Sequence, residues 1–258
     1  MTVCEDVLIA CREGRFDECS SLIPLIKRYD YGIVWGAASL LLSRAGSGKI
    51  LRQLVESFAP EIFHLRDTFV QQWVSETLLS SGLSWTVPVA LNIMKVQTDR
   101  EKEFSIPTYL SFLLESERGL IMDGPDKIRE DGWPEWYDAP FHYDDEGYVA
   151  MVTARHTAVA STLSNPETDA IFEGSPLDFD KIAHRTLELV SERRDVEEVV
   201  IGRSMLEAAT GFDLTAMYKD FLLDPIAAGM TMEEFFDEVD LSRFVTGQRY
   251  FFGHQIPD

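Results

Sequence analysis

Positive charge is scarce in this sequence. Lys and Arg together number 23 against 44 Asp and Glu, a formal net charge of −21 over 258 residues. A field of that sign repels nucleic acid and anionic lipid, whose binding proteins carry basic patches. Cysteine is scarce too: Cys4, Cys11 and Cys19 are the only three, all near one end. An odd, clustered count is no disulfide framework, and no CxxC pair points to zinc. Cys4 and Cys11 would share one face of a helix and act as small core residues. Long apolar runs are missing. The longest uncharged stretch, 77–94, contains Ser80, Ser81, Gly82, Ser84, Pro88 and Asn92 and is no membrane span. Glu5 and Asp6 precede the first apolar run, which argues against a signal peptide, so a cytoplasmic protein is expected.

Local signatures of chemistry are missing as well. HExxH, GxSxG and the kinase patterns do not occur. The segment SRAGSGKI at 43–50 approaches a phosphate-binding loop, but Ser43 stands where glycine is needed and Ile50 where Ser or Thr is needed. It reads as a glycine-rich turn between helices. No two of His64, His142, His156, His184 and His254 lie within four residues of each other, which excludes a zincin motif. His142 with Asp144, Asp145 and Glu146 lacks the ligand spacing of a calcium loop. No metal, cofactor or catalytic residue is expected. An enzyme whose site is assembled from distant positions would leave no local trace, and a hydrolase of that kind is one alternative.

What is present is an ordinary globular composition, 45 % hydrophobic and 26 % charged, in a chain long enough to bury roughly three quarters of its unfolded surface. The acidity is lopsided. Residues 1–122 carry a net charge of −3 and residues 123–258 a net of −18. Such asymmetry points to an interaction surface in the second part and to a basic partner; the competing reading is a solvated acidic face that only aids solubility.

Apolar spacing predicts helices over 3–13, 16–27, 32–43, 50–58, 62–80, 87–96 and 108–117, and again over 148–163, 179–192, 196–210, 214–223 and 232–239. Asp195 with Glu198 and Thr231 with Glu234 form capping-box pairs; Met230 and Phe235 occupy the staple positions of the second. Gly211 stands where a helix-terminating glycine belongs. Trp35 followed by Leu41-Leu42-Ser43 and Gly46 is echoed by Trp73, Leu78-Leu79-Ser80 and Gly82, about 38 residues on, near the period of helical-hairpin repeats. The expected fold is all-α: stacked helical hairpins, an α-solenoid, with a helical-repeat half at 1–122, an acidic aromatic insertion at 123–148 and an acidic helical half at 149–258, in one continuous domain.

The insertion is the most informative stretch. Gly124, Pro125, Gly132, Pro134, Pro140 and Gly147 predict a loop. Within it Trp133, Trp136, Tyr137 and Tyr143 alternate with Glu135, Asp138, Asp144, Asp145 and Glu146. Aromatics anchor interfaces and carboxylates pair with Lys or Arg across them, so these nine residues are the candidate partner-binding set. The competing reading is that the aromatics, with Phe141 and Tyr148, anchor the insertion on its own domain.

The ending RYFFGH-x-IP (249–257), the EAATGFD turn at 207–213 and the helical-repeat start resemble HEAT-like, all-α immunity proteins of bacterial polymorphic toxin systems. The resemblance implies a non-enzymatic, cytoplasmic antidote that binds and neutralises a cognate toxin domain. It carries over no catalytic residue. Nuclease toxins are basic because they bind phosphate, so an acidic antidote competes for the same surface. A helical-repeat scaffold for another basic protein is the second alternative. In either case the tail aromatics Tyr250, Phe251 and Phe252 are expected to dock on the preceding helices.

Overall fold

In this computed structural model, which describes residues 2–28, 33–65, 67–96, 105–115, 145–192, 197–220 and 222–258, the helices are α1 (Thr2–Arg12), α2 (Leu22–Arg28), α3 (Ile33–Ala45), α4 (Gly48–Ala59), α5 (Thr68–Leu79), α6 (Thr86–Val96), α7 (Ser105–Leu114), α8 (Asp145–Ala160), α9 (Phe179–Ser191), α10 (Glu197–Thr210) and α11 (Pro225–Glu238). Helix takes 71 % of the described residues. Strand among them is limited to three two-residue antiparallel hairpins: β1–β2 (Ile171–Phe172, Ser175–Pro176), β3–β4 (Tyr218–Lys219, Leu222–Leu223) and β5–β6 (Tyr250–Phe251, His254–Gln255). The chain is therefore all-α.

Side-chain caps set several of the starts. Ser47 accepts from the Ile50 amide to open α4, Asp67 from Val70 to open α5, Asp178 from Asp180 and Lys181 to open α9. The 43–50 segment is indeed an interhelical turn, closed by the Gly46 amide donating to the Leu42 carbonyl at 2.9 Å. The tryptophan echo also has a structural basis. Trp35 and Trp73 pack with ring centroids 4.7 Å apart and planes tilted by 59°, the Ser39 and Thr77 hydroxyls meet at 2.7 Å, and Ser43 and Ser81 line one small void. Each pair is 38 residues apart, as Ser39 and Thr77 are, and successive pairs advance by about one helical turn. α3 and α5 thus run parallel in matched register, with α4 as the return between them.

Four expected helices differ from the observed elements. The 16–27 stretch divides into a 3₁₀ segment (Phe16–Ser21) and α2, and the 62–80 stretch into a π-type turn (Pro60–Leu65) and α5, whose Asp67 cap restarts the ladder. The 214–223 stretch is a 3₁₀ turn (Thr215–Met217) followed by the β3–β4 hairpin. Asp213 takes both the amide and the hydroxyl of Thr215, and such local side-chain bonds compete with helix. Asp220 then turns the chain at φ 51°. Finally, α11 begins at Pro225 rather than 232. Asp224 caps the Ile226 and Ala227 amides, and proline at the first helical position has no amide to lose. Thr231 is therefore mid-helix, its hydroxyl bonded to the Ala227 carbonyl, and the expected capping box does not form there. The Asp195 box falls outside the described residues.

Three hydrophobic clusters form the core, and none belongs to one half alone. The first joins α1–α5 residues to Phe251 and Ile256; the second joins Phe112 to α9–α11; the third joins α5–α7 to Tyr148, Val152, Val159 and Ile171. The tail is the strongest cross-link. Tyr250, Phe251 and Ile256 are buried, and Phe252 and Gly253 donate their amides to the Ala208 and Ala209 carbonyls at the end of α10. Arg249, 7 % exposed, donates to the Gly46 carbonyl at 2.8 Å and to that of Ser43 at 2.5 Å, beside the C-terminus of α3.

Deleting residues 249–258 removes three fully packed side chains worth about 1.5–3 kcal/mol each. At about 2–4 °C per kcal/mol for a chain of this size, the thermal midpoint should fall by more than about 10 °C in a circular-dichroism melt. An unchanged midpoint would show that the tail does not join the halves.

Candidate functional site

Trp133, Glu135, Trp136, Tyr137, Asp138, Tyr143 and Asp144 lie outside the described residues. Asp145 and Glu146 begin α8. The last four residues of the expected insertion are thus helical, with Gly147 accommodated inside the helix at a cost of about 1 kcal/mol. Tyr148 is 6 % exposed and belongs to the third core cluster, which is the anchoring role weighed for it.

Three arrangements of chemically capable side chains occur among the described residues. The first is Ser84 with His156. His156 Nε2 lies 2.9 Å from both the hydroxyl and the carbonyl oxygen of Ser84. Ser84 is fully buried, and the Nε2 that would serve as its base is shared with a backbone carbonyl. Geometry of this kind pins α8 to the 81–86 turn. The second is Cys11 with Cys19, whose sulfurs sit 3.3 Å apart in the first cluster. The hydrogen bond with Cys11, and burial, push the Cys19 thiol well above the ordinary thiol range, so it stays protonated. No group of three or more His, Cys, Asp or Glu residues suited to a metal ion occurs among the described residues. No helix among them is long and apolar enough to cross a membrane.

The third arrangement is on the surface of α11. Its buried side presents Ala228, Thr231, Met232 and Phe235 to the second cluster. Its outer side carries Ile226 and Met230, 74 % and 65 % exposed, then Glu233, Glu234, Asp237 and Glu238. Spacings of four and seven place all six on one face, roughly 18 Å long at 1.5 Å per residue. Exposed Leu222 of β4 lies close in sequence to its apolar end. The neighbouring cations are largely engaged elsewhere. Arg243 covers the Phe244 ring at 4.8 Å, Arg185 pairs with Glu188, and Lys181 lies 4.0 Å from Asp178. None of the four carboxylates on this face forms an ion pair among the described residues. The result is a pair of bare apolar side chains followed by unneutralised acid.

Sequence reasoning missed this face because it started the helix at 232, which left Ile226 outside it and assigned Met230 to a staple. The available signal was Asp224-Pro225, a cap followed by proline at the first helical position. Comparison with known proteins gives no match: no family model fits the chain, and no curated protein or solved structure matches it.

Burial pushes the His156 imidazole below its ordinary 6.5, against a partial opposing effect of its hydrogen bond with Ser84. As pH falls through 6.5 the unfolded chain takes the proton first, so stability is lost from there down to the folded value. His156→Gln keeps a donor for the Ser84 carbonyl and cannot titrate. Urea unfolding at about pH 7.5 and about pH 5.5 should show a smaller loss of stability in the variant than in the parent. Equal losses would mean that the imidazole is not desolvated.

Proposed function

We propose that this chain is a non-enzymatic antidote that binds a basic protein, a toxin domain, one-to-one and blocks it in the cytoplasm. The observation that carries the reading is the outer face of α11. Apolar side chains with no covering element are the anchors of interfaces, and the carboxylates beside them match Lys and Arg on a partner. The charge asymmetry adds a long-range field of the same sign, which speeds encounter with a basic surface. A nuclease domain is the toxin type whose working surface is basic, and an acidic face competes with phosphate for it. The acidic aromatic residues at 133–146 belong to the same proposal as a second contact region.

The finer architecture, stacked helical hairpins of the HEAT type, is part of this proposal. The parallel, register-matched pairing of α3 and α5 with α4 between them supports it, as does the packing of α9 against both α10 and α11. A rigid helical stack suits an inhibitor because little side-chain and loop freedom is left to lose on binding.

The test is binding kinetics against the product of the reading frame immediately upstream, once that frame is identified and its product shown to be basic. Reversing Glu233, Glu234, Asp237 and Glu238 to Lys should slow association by about tenfold or more at low salt, with the effect fading above about 0.5 M. Replacing Ile226 and Met230 with Ala should instead raise the dissociation rate. Thermal melts of both variants should stay within about 2 °C of the parent, because these side chains are exposed. Unaltered kinetics with unaltered melts would remove α11 as the partner face.

A further inference from the structure

The partner reading makes no use of the Cys11–Cys19 pair. Its sulfurs lie 3.3 Å apart where α1 meets the 3₁₀ segment Phe16–Ser21, and both residues are fully buried. A disulfide is about 2.0 Å long, so the sulfurs need to approach by only about 1.3 Å, within the reach of side-chain rotation. The backbone between them is already folded back on itself. Gly14 turns at φ 79°, its amide donates to the Cys11 carbonyl at 3.0 Å, and the Arg15 amide donates to that of Ala10 at 2.9 Å. Cys4 shares the first cluster but lies about 10 Å from Cys11 along the axis of α1.

Solvent comes close to the pair. A surface recess of ≈ 410 Å³ between α1 and the 3₁₀ segment is lined by Ala10 and Glu18, the chain neighbours of the two cysteines, with Val7, Arg15 and Ser21. The cover is thin and weakly held. The 3₁₀ segment has no side-chain cap at its start, Phe16 and Cys19 are its buried residues, and the other four are exposed. Hydrogen bonds of the 3₁₀ type are poorer than those of an α-helix, and short exposed segments open locally without global unfolding. The two thiols are also unequal. With Cys19 as donor, the hydrogen bond between them lowers the Cys11 thiol, helped by the Arg15 charge and opposed by burial and Glu18. The same bond, with burial, holds the proton on Cys19. The thiolate is the reactive form, so Cys11 is the attacking sulfur and Cys19 the resolving one.

We propose that Cys11 and Cys19 form a peroxide-reactive site whose product is an intramolecular disulfide stapling α1 to the 3₁₀ segment. The oxidant is a small hydroperoxide, of which hydrogen peroxide is the simplest. The Cys11 sulfur attacks one peroxide oxygen, the O–O bond breaks, and the leaving hydroxide takes the Cys11 proton to become water. The Cys19 sulfur then attacks the resulting Cys11 sulfenic acid. The S–S bond forms, the S–O bond breaks, and the departing hydroxide leaves as a second water with the Cys19 proton. Both electrons that reduce the peroxide come from the two thiols. The site is independent of α11 and of any partner. The staple lies in the cluster that holds Phe251 and Ile256, and Cys19 is close enough to Arg249 to feel its charge, so oxidation secures the surface on which the tail docks.

The test is intact-mass spectrometry of the folded full chain treated with a modest excess of hydrogen peroxide. The mass should fall by about 2 Da and return with dithiothreitol. Peptide mapping should place the bond between Cys11 and Cys19, with Cys4 still open to alkylation. The oxidised chain should melt about 5 °C higher, because closing a short loop constrains the unfolded state. Cys19→Ala should stop the mass loss and accumulate a Cys11 sulfenic acid that dimedone traps, whereas Cys11→Ala should give no adduct at Cys19. Cys4→Ala should oxidise as the parent does. In urea the selectivity should vanish, with Cys4–Cys11 bonds appearing as well, since the two intervening loops are nearly equal in length. Should Cys11→Ala or Cys19→Ala fail to fold, the mapped bond in the parent and in Cys4→Ala decides the matter. An unchanged parent mass, a bond to Cys4 in the folded chain, added oxygens in place of the bond, mass loss in a folded Cys11→Ala variant, or an oxidised chain that melts lower would each overturn the proposal.

Discussion

The structure turns on one buried guanidinium. Arg249 sits in the core and forms no ion pair among the described residues; it is bonded to the Ser43 and Gly46 carbonyls, 206 and 203 residues earlier. Those carbonyls lie at the C-terminal end of α3 and in the turn that follows it, where the helix dipole presents partial negative charge. Burial and the nearby Arg44 charge push Arg249 down to about 9, still well above neutral pH, so it remains cationic there. Removing either side of such a bond is costly, because it strands a charge or a pair of carbonyls away from water. Once Arg249 is seated, the chain on either side of it has little freedom.

Its neighbours carry the constraint onward. The hairpin that follows turns at Phe252 and Gly253, both with positive φ. For a residue as bulky as Phe252 this costs about 1 kcal/mol or more, and the tip is held there by its two amide bonds to α10. Gly211 has a positive φ of its own, and a Cβ there would come within 2.6 Å of the Phe252 ring. The tail therefore closes the end of α10 while its root closes the end of α3. The α3–α10 seam, where Arg44 bonds Ser204, lies between these two attachments. α9 packs against α10 and α11, so the acidic face of α11 is presented from a braced support.

Much of this was legible one segment at a time. The all-α class followed from apolar spacing, and the Trp35–Trp73 echo marked two helices that meet in parallel register. Gly211 as a helix terminator and the burial of Tyr250, Phe251 and Ile256 also followed from local pattern. Arg249 did not, because its partners lie two hundred residues away and an arginine beside three aromatics looks like a surface residue. The 214–223 stretch misled because Leu214, Met217, Tyr218 and Phe221 fall at helical spacing in the sequence while the Asp213–Thr215 bonds divert the backbone. At α11 two start signals competed. Thr231 with Glu234 fits the capping-box pattern as well as Asp224-Pro225 fits a proline start, and only packing against α9 and the preceding 3₁₀ turn favours the earlier one.

The central claim is that the tail and Arg249 make one cooperative body of two sequence halves, and that the partner face depends on that unity. Scanning calorimetry of the full chain measures it directly. A single transition whose calorimetric and van't Hoff enthalpies agree is the predicted result, because each hydrophobic cluster takes residues from both halves. Two resolved transitions, with α1–α7 and α8–α11 melting separately, would contradict the account.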